Sequence, residues 1–136
     1  MARQLEHDCN VRLATVQEAI NLELNGIDLL IVGSPTRGFR PTPQMSEYLE
    51  GLDRVHGATT AAVFDTRIDL ETVHPAALKW VVEAEGYAAD RMDQMLQHRA
   101  FLRKGGLAGF LVTGTEGPLK AGEIERALEW ANTLVR

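Results

Sequence analysis

The sequence predicts an α/β domain built on a parallel sheet. Three observations predict it. Nearly continuous apolar runs recur at residues 27–33, 60–64 and 107–113, as in strands buried on both faces. Stretches of helical period separate them. The 136 residues are 45% apolar and 24% charged, which suits one globular domain with its own core.

The elements follow in order. Residues 1–8 read as the end of a helix, and residues 11–16, Val-Arg-Leu-Ala-Thr-Val, alternate like a strand covered on one face. Residues 17–24 suit a short helix stopped by Asn25-Gly26. The run Ile27–Gly33 is the first fully buried strand, followed by the turn-rich stretch Ser34–Pro41. Thr42 caps the next helix and Pro43 fits its first turn, where a missing amide hydrogen costs nothing. Met45, Tyr48, Leu49 and Leu52 then make one buried stripe. A second buried strand runs from Thr60 to Phe64 and ends at Asp65, with a loop over residues 66–74. His74-Pro75 opens a helical region that reaches about Arg103, interrupted near Gly86 and ended by Gly105-Gly106. Leu107–Thr113 is the third buried strand, Gly114–Pro118 a loop, and a last helix carries the stripe Ile124, Ala127, Leu128, Ala131, Leu134 and Val135.

Composition narrows the function classes. The net charge of -5 lacks the basic footprint that nucleic acid requires. Cys9 is the only cysteine, so neither an internal disulfide nor a cysteine metal cluster can form. No apolar run approaches the ~18 residues of a membrane span. A cytoplasmic location is the expectation. The four histidines have no metal-ligand spacing. Ser34 has no histidine and aspartate partners in reach, which argues against hydrolase chemistry.

Ligands of open α/β sheets sit at the carboxyl ends of the strands. Those ends are Gly33–Gly38, Asp65–Arg67 and Gly114–Pro118, all rich in glycine, hydroxyls or arginine. Any one of them reads equally well as a tight turn. Three at one sheet edge read as a binding rim.

These same residues carry a resemblance. Asp28–Gly38 with Arg40-Pro41-Thr42-Pro43 resembles the third strand and following loop of flavodoxin-domain proteins. Ala62–Arg67 is similar to their fourth strand and its loop, and Gly114–Glu123, with Ala127 and Trp130, to the fifth strand's exit and last helix. The likeness runs from about residue 11 to the end. It implies a flavodoxin-like three-layer α/β/α fold as a single domain over residues 1–136, binding FMN and acting in electron transfer with a redox partner protein. It places Ser34, Pro35, Thr36, Arg37 and Gly38 on one side of the flavin ring and Asp65, Thr66 and Arg67 on the other. Arginines facing the ring would raise its potential. Phe39 is the one aromatic these loops offer.

The departure is at the front. The family begins with a strand and a T-x-T-G-N-T-type loop that cradles the phosphate at a helix start. This sequence has neither, and residues 1–8 align with the end of the helix that follows. In the family's strand order, 2-1-3-4-5, the missing strand is the central one. Two readings compete. Met1 is an internal methionine of a longer protein, or the truncation is natural and the sheet is repaired by re-pairing or by a second chain, as in a homodimer. A cofactor-free interaction or regulatory module is therefore the alternative function. A phosphoryl-accepting receiver domain is disfavoured, because no aspartate ends the strand at Val32-Gly33-Ser34.

Overall fold

A computed structural model describes residues 1–37, 39–52, 59–69, 86–114 and 117–135. The elements are α1 (Ala2–Leu5), α2 (Val16–Ala19), β1 (Leu29–Pro35), α3 (Pro43–Glu50), β2 (Thr60–Ile68), α4 (Ala88–His98), β3 (Leu102–Arg103), β4 (Ala108–Val112) and α5 (Glu123–Leu134). All strand pairings are parallel. β2 is central. It pairs with β1 along one side, while β3 and β4 follow one another along the other. A two-residue insertion around Gly105-Gly106 separates β3 from β4.

Helices cover both faces of the sheet. Successive side chains of β2 alternate in direction. On one face Val32, Ala61 and Val63 pack with Met45 and Leu49 of α3, Ala88, Ala89, Met92 and Leu96 of α4, and Phe101. On the other face Phe64, Phe110 and Trp130 of α5 form a cluster of rings with centroids 5.8–6.1 Å apart, mostly edge to face. The Phe64 ring lies where a Cβ on Gly33 would be, so only glycine fits there. α1 packs on α5, with Gln4 Nε2 donating to Asn132 Oδ1 at 3.2 Å.

The caps explain where helices begin and end. Thr42 Oγ1 accepts the Met45 amide at 3.2 Å and Pro43 opens α3, as its residue types predict. At the far end of α4, Phe101 N–H reaches Leu96 O and Ala100 N–H reaches Gln97 O. This is a Schellman motif, with the apolar pair Leu96 and Phe101 buried beside it. Its left-handed position is Ala100, at φ 66°, rather than glycine. Arg99 joins two helix ends: it donates to Glu50 O (2.7 Å) and Leu52 O (3.2 Å) at the end of α3 and to Met95 O (3.2 Å) in α4.

Several expectations need correction. Residues 11–16 do not form a strand. A strand exists only through a partner's ladder, and among the described residues none pairs with this stretch. Its last hydroxyl serves a helix instead: Thr15 and Glu18 form a reciprocal capping box, at 3.3 and 3.0 Å, that starts α2. That helix covers Val16–Ala19, not residues 17–24. The strand expected to end at Asp65 continues to Ile68, because β4 pairs with it that far. The helix expected to reach Arg103 stops at His98, and Leu102-Arg103 joins the sheet. Ile124, assigned to the buried stripe of the last helix, is 60% exposed. The expected loop and helical region over residues 70–85 lies outside the described residues. Among the described residues no helix is long and apolar enough to cross a membrane.

Candidate functional site

Parallel register brings the strand exits to one edge. Pro35 stands beside Thr66, and Ile68 beside Val112. The turn after β1 is tied directly to β2, since Thr36 N–H donates to Thr66 O at 2.8 Å. The third turn folds back on the same edge: Thr113 N–H donates to Pro118 O, and Lys120 Nζ meets the Asp69 carboxylate at 2.6 Å just past β2. Thr115 and Glu116 lie outside the described residues, as does Gly38.

Most of the expected site residues point inward. Asp65 is fully buried. Its carboxylate accepts two hydrogen bonds from Arg67, at 2.6 and 2.7 Å, and a third from the Ala89 amide at 3.0 Å. The guanidinium meets it side-on through two parallel N–H groups, and the amide belongs to the first turn of α4. Thr36 Oγ1 accepts the neighbouring Ala88 amide at 3.1 Å. Together Thr36 and Asp65 hold the start of α4 against the sheet. Ser34 is buried; its hydroxyl donates to Pro35 O and accepts the Thr42 amide, which fixes the start of α3. The Arg67 guanidinium lies 3.5 Å from the centre of the Tyr87 ring, and a Cβ on Gly109 would overlap it.

What remains outward is smaller. Arg37 is exposed, and Pro35 is exposed beside it. The half-buried Thr66 hydroxyl and the Arg37 guanidinium have no side-chain partner among the described residues. Arg37 and Arg40 close the turn through reciprocal backbone hydrogen bonds, leaving Phe39 at φ 68° between them. An aromatic residue at this rim escaped the sequence reading. Tyr87 lies at the N-cap of α4, where its amide donates to Asp90 Oδ2 at 2.9 Å. The signal that finds it is the position before a helix start facing Arg67, which needs the fold to be known.

The outer edge of β4 carries the other charged group. Glu123 accepts the Leu111 amide at 2.6 Å and pairs with Arg126 at 2.7 Å. The hydrogen bond from Arg126, helped by that of Leu111, holds its carboxyl below the usual carboxylate range against the cost of burial. Arg126 also donates to Gly109 O. Among the described residues no group of three or more histidine, cysteine or acidic side chains could hold a metal ion.

No family model, curated protein or solved structure matches the chain.

Proposed function

We propose that this chain is a flavodoxin-like FMN-binding protein acting in electron transfer, with the flavin ring at the rim formed by Ser34–Arg37 and Asp65–Arg67. The observation that carries this reading is the Thr36 to Thr66 hydrogen bond, which sets the two resembling turns side by side. The flavin would carry the electrons, and the protein's part is to hold and orient it and to exclude water. Thr66 and Arg37 supply the open polar groups, and Tyr87 and Phe39 the aromatic surface. Arg67 contributes little net charge there, because Asp65 neutralises it.

The fit extends to the ring and not to the phosphate. The two amides at the start of α4 that could meet an anion already serve Thr36 and Asp65. Charge-assisted hydrogen bonds of ~1.5–3 kcal/mol each are therefore missing from the phosphate's side. Titration of FMN and of riboflavin, followed by flavin fluorescence, tests this. Both are expected to bind, with affinities within roughly a factor of ten of each other. If neither is quenched, the reading fails. The inward engagement of Thr36, Asp65 and Arg67 favours the second reading, a cofactor-free interaction module, and that outcome would support it.

A further inference from the structure

The two edges of the sheet are treated differently. Along β4 the outward backbone groups are covered. Leu111 N–H meets Glu123, Leu111 O meets the Lys120 amide, Gly109 O meets Arg126, and Thr113 N–H meets Pro118 O. Along β1 there is no such cover among the described residues. Asp28 O accepts from Thr60, and Thr36 N–H donates to Thr66. Bonded positions alternate in a parallel ladder, so the even-numbered residues of β1 face β2. Leu29, Ile31 and Gly33 then direct their N–H and C=O groups away from the sheet. Leu-Leu-Ile-Val is an interior strand's sequence at an uncovered edge, which invites pairing with another chain.

We propose that β1 pairs antiparallel with β1 of a second copy, about a two-fold axis at Ile31. This register sets Leu29 opposite the second copy's Gly33 and Ile31 opposite its counterpart. All three outward donors and acceptors are then matched. Pro35, which has no N–H to offer, falls outside the bonded pairs. The side chain of Leu29 meets the gap at Gly33, beside the Phe64 ring. Charge selects the direction. The approach to β1 carries exposed Glu23 and Asp28 and no basic residue, while its exit carries exposed Arg37 and Arg40 and no acidic one. None of the four has an ion pair among the described residues. Antiparallel pairing sets acidic approach against basic exit twice, whereas parallel pairing sets like against like.

Sedimentation velocity across a concentration series, with amide hydrogen exchange read at single residues, tests the proposal on the full chain. The expected result is a dimer of the 15.0 kDa chain in which the Leu29, Ile31 and Gly33 amides exchange more slowly than in the monomer. The exposed double substitution Glu23→Lys with Asp28→Lys should weaken the dimer by roughly tenfold or more. Adding Arg37→Glu with Arg40→Glu should restore it. Far-UV circular dichroism checks that each variant is folded. A chain monomeric at every concentration overturns the proposal. So does a dimer that leaves those three amides unprotected, or one indifferent to the charge reversal.

Discussion

Asp65 shows how one side chain serves several neighbours. Three donors converge on a carboxylate with no solvent exposure. Its net contribution is modest, because a well-packed apolar replacement would avoid the desolvation cost. Its removal is a different matter, since the Ala89 amide and the guanidinium lose their acceptor together. Asp65→Ala is expected to cost about 2–4 kcal/mol, read from urea unfolding, with Arg67 recovering part of its solvation at the surface. The identity of the residue was legible as an acid at a strand exit. Its task was not, because the amide it holds comes 24 residues later, and a contact over that separation has no local sequence signal. Tyr87 was missed for the same reason.

Helix and strand boundaries separate local signals from borrowed ones. Thr42-Pro43 was readable because cap and first turn lie within one short stretch. The end of α4 was not, because its left-handed residue is alanine. That conformation costs an L-residue roughly 1–2 kcal/mol, less the entropy a glycine would lose on folding. Ala100→Gly should therefore stabilise the protein by about 0.5–1 kcal/mol, measured as a raised denaturation midpoint. Residues 11–16 failed oppositely: their alternation was real, but alternation becomes a strand only beside a partner. At the start of α5, Glu123 makes stability depend on acid. Its depressed carboxyl stabilises the fold above the unfolded carboxylate value, and that contribution disappears as pH falls through the lower folded value. Glu123→Gln should flatten the acid limb of a stability profile measured by unfolding at successive pH values, and lower stability near neutrality.

At the scale of the molecule, the alternation of apolar runs and helical periods was enough to predict parallel strands with helices. Strand order and edges were beyond it, since pairing is a long-range choice. The asymmetry between a covered β4 edge and a β1 edge without such cover among the described residues depends on side chains from α5 and a returning turn, and only coordinates reveal it. Arg99 has a consequence of this long-range kind. One guanidinium holds the carbonyl ends of α3 and α4, helices that lie on either side of β2 in the chain. Fraying of either terminus must give up bonds belonging to both. The two helices should thus open as a single cooperative unit, and the sheet face beneath them is uncovered all at once or not at all.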